Sequence, residues 1–276
     1  MFRQVSDKEY DQHLRNLNAY GYTRVEAFMP PETVAMLLDR SWACHAATKD
    51  FEYAGRPARD ARDLRVYNLQ NKDFIYVEIL GEAFIRRVLM NQLNDPYYRW
   101  LPADVPNYIL QNFNARSSGE ALELHIDSRV PIIRDKPVSM QVIYVLEDMD
   151  ETNGCSVVVP GTHKSGAYTD RELENVLPVH AKAGDLVIWD SRLWHGTQRN
   201  NGEKSRWALI ASFCMWWMKQ DVNMIRTLPE EYYSRMTPEQ KQLIGYLSIP
   251  PDSELERINV KCGYDFLKPR VADYFK

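Results

Sequence analysis

In the N-terminal third of the chain, apolar residues recur at intervals of three and four, which places them on one side of a helix. Ser6 and Glu9 have the spacing of a capping box, and Gly21 is a natural helix end. Between the first two helical stretches, apolar and polar residues alternate over 22–28, as they do in a strand. The pattern predicts a helix between Ser6 and Gly21, a strand over 22–28, a helix starting at 30–32 and a helix over 77–93.

The pattern changes near residue 107, where short runs rich in β-branched and aromatic residues begin. Gly- and Asn-containing turns separate these runs, as in antiparallel all-β folds. The predicted strands cover 108–113, 122–125, 138–146, 155–159, 186–189 and 207–213. Many short strands of this kind predict a β-sandwich or jelly roll closed on itself, mostly β with flanking helices.

We expect residues 1–276 to form a single domain, with a β core over about 105–217 and helical flanks at both ends. The segment 51–65 is interrupted by Gly55 and Pro57 and is predicted to be a loop. Its arginines at 56, 59, 62 and 65 either meet an anionic substrate or form a solvated surface balanced by Asp60 and Asp63.

Composition and charge exclude several classes of protein. The net charge of −4 and the pI near 5.9 argue against nucleic-acid binding, which favours basic surfaces. No apolar run has the length of a membrane helix or of a signal peptide, so we expect no membrane association and a cytoplasmic location. The four cysteines are scattered without zinc-site spacing and are expected to be buried thiols. No GxGxxG or Walker lysine motif occurs.

A candidate metal site begins with His125 and Asp127, which are two residues apart in a predicted strand and therefore share a face. His195 lies in a turn after the strand 186–189, and Arg206 follows eleven residues later. Each signal alone also fits an ordinary core or surface residue. Together they predict a metal held by His125, Asp127 and His195, the ligand set of non-haem iron, with a guanidinium nearby for an anionic co-substrate.

Three segments carry a resemblance to a known family: 125–127, the run NGCSVVVPGTHK over 153–164, and the run GDLVIWDSRLWHG over 184–196 with Arg206. Over roughly 105–215 the chain resembles the phytanoyl-CoA dioxygenase-like branch of the Fe(II)/2-oxoglutarate-dependent dioxygenases. The resemblance implies a cupin-like double-stranded β-helix that uses Fe(II), 2-oxoglutarate and O₂. It also implies that Arg206 binds the distal carboxylate of 2-oxoglutarate, and that a C–H bond of a small molecule is oxidised with release of succinate and CO₂.

The same resemblance suggests further site residues. Gln111 and Gln141 are predicted to contact 2-oxoglutarate or substrate, and Ser128, Arg129 and Trp194 flank the metal ligands as candidate substrate contacts. Ala208 stands where family members commonly carry a serine that supports the co-substrate. Halogenases related to the family replace the carboxylate ligand with a small residue, so the intact Asp127 argues against halogenation. His163 in the PGTH turn is expected to be structural.

The substrate is expected to be a small metabolite or natural-product intermediate, since no extended basic segment for coenzyme A is evident. Two alternatives remain open at the level of sequence. One is a cupin-like metal isomerase or dioxygenase that does not use 2-oxoglutarate, and the other is a non-catalytic binding protein on the same barrel. Formation of a homodimer is also left open.

Overall fold

The computed structural model describes residues 2–49, 64–98, 103–117, 119–166 and 173–248. Four of its helices belong to the N-terminal half of the chain: α1 (Asp7–Tyr20), α2 (Pro31–Thr48), α3 (Ile75–Glu78) and α4 (Ala83–Leu93). Three short helices follow the β region: α5 (Met224–Thr227), α6 (Glu230–Arg235) and α7 (Pro238–Ile244).

Ten strands are present in the described residues: β1 (Tyr22–Val25), β2 (Leu64–Tyr67), β3 (Tyr108–Ser117), β4 (Leu122–His125), β5 (Ser139–Val145), β6 (Ser156–Val158), β7 (Leu177–Val179), β8 (Leu186–Asp190), β9 (His195–Thr197) and β10 (Trp207–Met215). They form two sheets. The large sheet has the order β1-β8-β5-β10-β3-β2, and the small sheet has the order β4-β9-β6-β7. The strand pairs β1–β8, β2–β3, β4–β9, β5–β8, β6–β7 and β6–β9 are antiparallel, with, for example, Gln141 opposite Trp189 and Val158 opposite His195.

The chain divides into two compact units. The first unit consists of Met1–Leu69 and Phe113–Ala211, and the second consists of Gln70–Asn112 and Ser212–Lys276. Two of the three boundaries fall within β3 and β10, and the third lies between Leu69 and Gln70. The expectation of a single domain over 1–276 stays a prediction.

In the first unit, an apolar core lies between the two sheets. Ile143 and Val187 from the large sheet and Val158 and Val179 from the small sheet belong to one buried cluster. The face of the large sheet that contributes to this cluster is called the inner face below. Two sheets enclosing a common core confirm the predicted mostly β, jelly-roll fold.

In the first unit, α1 begins and ends as the sequence predicts, and α2 begins where it predicts. The Ser6 side chain accepts a hydrogen bond from Glu9 N–H, and the capping box is complete. Gly21 ends α1 with φ 84°, a conformation that glycine tolerates best. The strand predicted over 22–28 ends earlier, at Val25. On the outer face of the large sheet, Trp42 of α2 packs edge-on against Trp207 of β10 at 5.2 Å.

Two predicted elements differ from the structure. The single helix predicted over 77–93 is divided into α3, a 3₁₀ turn over Ile79–Gly81 and α4. Glu82 causes the break, since its backbone is non-helical and its carboxylate accepts hydrogen bonds from the N–H groups of Phe84 and Ile85. In the segment predicted to be a loop, residues 51–63 lie outside the described residues, whereas Arg65 belongs to β2 and lies opposite Arg116.

The described cysteines are free thiols, with Cys155 and Cys214 buried and Cys44 half-buried; Cys262 lies outside the described residues. No helix among the described residues is both long and apolar enough to cross a membrane.

Candidate metal centre

Two histidines meet across neighbouring strands of the small sheet. His125 ends β4 and His195 begins β9, and the antiparallel register places them directly opposite one another. Their rings lie 4.4 Å apart between centroids. Residues directly opposite on antiparallel strands have their side chains on the same face, so the register alone brings two imidazoles to one place.

Asp127 completes the cluster. Its carboxylate lies 3.6 Å from His125 Nε2 through Oδ1 and 3.2 Å from His195 Nε2 through Oδ2. One ligand atom from each of the three residues lies within 4.8 Å of the other two. The structure therefore brings together the three predicted metal ligands, although they come from two separate regions of the chain.

The backbone fixes the orientation of both imidazoles. His125 Nδ1 lies 2.8 Å from the carbonyl oxygen of Glu123, and His195 Nδ1 lies 2.9 Å from that of Leu193. Because a carbonyl only accepts, each Nδ1 carries the proton and donates, which leaves Nε2 as the metal-binding atom. Both Nε2 atoms face Asp127, so the donor set of two neutral nitrogens and one carboxylate oxygen fits a divalent iron on one side.

The electrostatics of the cluster favour a cation. Burial raises the pKa of Asp127, but the charges and hydrogen bonds of His195 and His125 outweigh it and hold that pKa well below its usual range. The hydrogen bond with Asp127 raises the pKa of His125, against the opposing effects of burial and of the Arg116 charge. The carboxylate of Asp127 is therefore ionised at neutral pH, and a bound cation would stabilise its charge.

A buried ion pair shapes the turn that carries His195. Arg192 donates to Asp190 from Nε at 3.0 Å and from Nη2 at 2.6 Å, and both side chains are almost fully buried. Nη1 of the same guanidinium donates to the carbonyl oxygens of Ile132 and Arg134. Arg192 therefore ties the turn before His195 to the loop that follows Asp127, and so connects the two segments that bear the metal ligands.

Arg206 lies just before β10 and is only 5% exposed. Its backbone N–H donates to Ser117 Oγ at 2.9 Å, and its Nη1 lies 2.8 Å from Met149 Sδ. Its Nε has no hydrogen-bond partner in the described part of the chain. Burial, and then the charge of Arg116, lower the pKa of Arg206 to about 10, so the guanidinium remains charged at neutral pH.

The two glutamines predicted to contact the co-substrate occupy different faces. Gln141 is buried in β5 and alternates with Ile143, so it lies on the inner face, opposite Trp189. The Trp189 ring in turn lies 4.8 Å from that of His195. Gln111 is also buried, but alternation along β3 places it with Phe113 rather than with Arg116. The role of Gln111 stays a prediction that this alternation does not favour.

The three residues predicted to contact substrate differ in their exposure and in their hydrogen bonds. The Ser128 hydroxyl donates to the carbonyl of Val130, which engages it within a turn. Arg129 is exposed and has φ 62°. Trp194 is half-buried, and its backbone N–H donates to Thr162 Oγ1. All three stay predictions as substrate contacts.

His163 lies against the end of α1. A Cβ atom at Gly21 would come within 2.6 Å of His163 Nδ1, and burial lowers the pKa of the imidazole. This packing fits the structural role expected of the PGTH turn. Arg56, Arg59 and Arg62 lie outside the described residues.

Sequence reasoning missed two residues beside the site. Trp189 packs on His195, and Arg116 in β3 influences the pKa values of both His125 and Arg206. The alternation of β3 was the available signal for Arg116, because it places a charged residue on the same face as Asn114.

Comparison with known proteins agrees with this geometry. The family model described as phytanoyl-CoA dioxygenase (PhyH) matches residues 17–208. Dioxygenase af480 of Aspergillus fumigatus is 27% identical over 242 residues, covering 83% of this chain and 75% of that protein.

Two solved structures share the fold. The non-heme α-ketoglutarate-dependent epimerase SnoN from nogalamycin biosynthesis superposes with a TM-score of 0.61 at 15% identity, covering 77% of this chain and 85% of that one. HygX from Streptomyces hygroscopicus, solved with nickel and 2-oxoglutarate bound, gives 0.59 at 14% identity, covering 79% and 90%.

These matches and the His–Asp–His cluster confirm the predicted dependence on Fe(II), 2-oxoglutarate and O₂. They also confirm the resemblance on which the prediction was based. The chain belongs to the phytanoyl-CoA dioxygenase family and is a 2-oxoglutarate-dependent dioxygenase.

Proposed function

We propose that the protein hydroxylates an unactivated C–H bond of a small metabolite or natural-product intermediate. The observation that carries the proposal is the convergence of His125, Asp127 and His195, whose ligand atoms lie within 4.8 Å of one another while the backbone fixes both imidazoles. Bound Fe(II), with 2-oxoglutarate and O₂, supplies the oxidising power, and 2-oxoglutarate leaves as succinate and CO₂.

The residues of the chain bind, orient and exclude water. Three protein ligands on one side leave the opposite side of a metal open for co-substrate and substrate. Arg206 offers a buried cation to the distal carboxylate of 2-oxoglutarate. Trp189 covers the ring of His195, and Ile143 extends an apolar inner wall beside it, which keeps water from the reacting C–H bond.

Gln141 is proposed as a polar contact on the same wall, since it lies opposite Trp189 on the inner face. Its amide can both donate and accept, which suits an uncharged polar group of the co-substrate or substrate. Ser128, Arg129 and Trp194 are kept as proposed substrate contacts, because each lies next to a metal ligand or within two residues of one.

The names of the similar proteins describe oxidation of small molecules, as a dioxygenase in one case and as an epimerase in another. Epimerisation, desaturation and ring closure begin from the same attack on a C–H bond and use the same ligand set. Hydroxylation is the proposed outcome because it needs no further residue beyond this set.

The test is a screen of small metabolites under Fe(II), 2-oxoglutarate and O₂, with succinate as the readout and mass spectrometry of the products. We expect at least one compound to raise succinate formation well above the background and to gain one oxygen atom. An Asp127→Ala variant serves as the control and should form no succinate. Product formation that needs no 2-oxoglutarate and survives Arg206→Ala would instead favour a cupin-like isomerase or dioxygenase.

A cytoplasmic location and a homodimer are kept as secondary proposals. Fractionation of the producing cells tests the first, and light scattering of the purified protein tests the second.

A further inference from the structure

Arg116 lies on the inner face of the large sheet. On β3, Phe113 packs against Tyr144 of β5 at 6.4 Å between ring centroids. Tyr144 alternates with Ile143 and Val145, which belong to the core between the sheets, so Tyr144 and Phe113 are on the outer face. The alternate positions of β3, Asn114 and Arg116, therefore share the inner face with Ile143.

Arg116 also lies close to Arg206. β3 is the neighbour of β10 in the sheet, and the backbone N–H of Arg206 donates to the side chain of Ser117, the residue after Arg116. In agreement with this placement, the charge of Arg116 adds to the larger effect of burial in lowering the pKa of Arg206.

The guanidinium of Arg206 has no acidic partner in the described part of the chain. It donates only to the sulfur of Met149, and its Nε is without a partner. The nearby carboxylate of Glu147 accepts from the Ser205 hydroxyl and from the Trp207 N–H. A buried cation such as Arg206, with no acidic partner among the described residues, is unfavourable unless an anion binds to it.

The position next to Arg206 on the same face offers no hydrogen-bond donor of its own. Ala208 is buried on the inner face of β10, and its methyl group belongs to the apolar cluster. A carboxylate held by Arg206 has two oxygens and several lone pairs, and one guanidinium does not satisfy all of them. On the adjacent strand β3, Arg116 carries a guanidinium on the same inner face, next to the residue whose side chain accepts from the Arg206 backbone.

We propose that Arg116 is a second anchor for the distal carboxylate of 2-oxoglutarate, donating beside Arg206 in the place where Ala208 supplies no hydroxyl. The inference rests on the use of 2-oxoglutarate by this site. It assigns the selection of a dicarboxylic 2-oxo acid to a pair of arginines on adjacent strands.

The test compares two ligands in calorimetric titrations of the nickel-loaded protein without O₂. 2-Oxoglutarate carries the distal carboxylate, and 2-oxopentanoate has a methyl group in its place. Arg116→Met is expected to weaken 2-oxoglutarate binding by about 10- to 100-fold, the loss expected for a charge-assisted hydrogen bond. Binding of 2-oxopentanoate should change by less than about 2-fold, since that ligand has no group for Arg116.

Arg65→Met is the matched control. Arg65 lies opposite Arg116 on β2, one strand further from Arg206, and its Nη1 donates to the Tyr67 hydroxyl at 3.3 Å. This variant should bind both ligands as the unsubstituted protein does. Arg116→Lys retains the positive charge but lacks the forked arrangement of N–H donors. Its affinity for 2-oxoglutarate should lie between that of Arg116→Met and that of the unsubstituted protein.

Four results would overturn the inference. Unchanged 2-oxoglutarate affinity in Arg116→Met would remove Arg116 from the site, and equal losses for both ligands would give it a structural role. An equal loss in Arg65→Met would show a general effect of surface charge. If the unsubstituted protein binds nickel but no 2-oxoglutarate, the proposed function fails, and the inference fails with it.

Discussion

The proposed site consists of two imidazoles, one carboxylate and one guanidinium, and the two imidazoles and the guanidinium each have a specific neighbour. His125 and His195 donate to the carbonyls of Glu123 and Leu193, and Arg206 is buried beside Met149. The convergence of the HxD pair and the turn histidine was predictable, since their spacing is recognisable, whereas the role of Arg206 stays a proposal. For Arg116, the alternation of β3 indicates only that it shares a face with Asn114; that this face is the inner one is evident only from the packing of Phe113 on Tyr144.

Replacement of Arg206 by Met tests whether this guanidinium serves binding rather than stability. Among the described residues, Arg206 is a buried cation with no carboxylate partner, which costs free energy, so the free energy of unfolding of the apo variant in urea should be unchanged or higher. Its affinity for 2-oxoglutarate should fall by about 10-fold or more. A loss of stability of several kcal/mol in the apo variant would contradict this account.

At the scale of elements, the register of β4 with β9 places the two imidazoles of the proposed metal site opposite one another. Gly196 allows the close approach of the two strands that this register requires. A Cβ atom at Gly196 would lie 2.6 Å from the carbonyl oxygen of Leu122 and 3.3 Å from that of Glu123. The longer strands were predictable from their apolar runs. β9 was not, since it has only three residues, and its partner β4 is largely half-exposed.

Gly196→Ala should therefore force β4 and β9 apart and separate the two imidazoles. We expect nickel affinity to fall by about 10- to 100-fold, as when groups that orient metal ligands are altered. Gly81→Ala is the control, because a Cβ there would have nothing within 4 Å, and its metal affinity should not change. Equal nickel affinities in the two variants would show that the register is not what positions the ligands.

Arg192→Met tests the connection between the two ligand-bearing segments. The substitution leaves Asp190 buried without its partner and removes the two hydrogen bonds that Arg192 Nη1 donates to the loop after Asp127. The free energy of unfolding should fall by about 3 to 5 kcal/mol, measured by urea denaturation. Nickel binding should weaken in the fraction that remains folded. A change below about 1 kcal/mol would mean that water replaces the pair at little cost.

At the scale of the whole molecule, the fold class was predictable because the change from helical to alternating patterns marks the β region directly. The division into two compact units was not, since two of its three boundaries fall inside β3 and β10, where the apolar pattern continues without a break. The expectation of a single domain over residues 1–276 stays a prediction.

Thermal unfolding tests that expectation. If residues 1–276 form one cooperative domain, calorimetry should give one transition with equal calorimetric and van't Hoff enthalpies. The Trp189→Phe variant removes a tryptophan from the first unit, and the Trp216→Phe variant removes one from the second. In each variant, the unfolding midpoint followed by tryptophan fluorescence should coincide with the midpoint followed by calorimetry. Two separated transitions would show that the units unfold independently.

The central claim is that His125, Asp127 and His195 hold one Fe(II) that 2-oxoglutarate then chelates. Titration of the apo protein with Fe(II) and 2-oxoglutarate without O₂, followed by visible absorption, tests it most directly. We expect a weak metal-to-ligand charge-transfer band that saturates at one Fe(II) per chain and disappears in His195→Ala. A correctly folded protein that binds Fe(II) elsewhere, or shows the same band without His195, would contradict the claim.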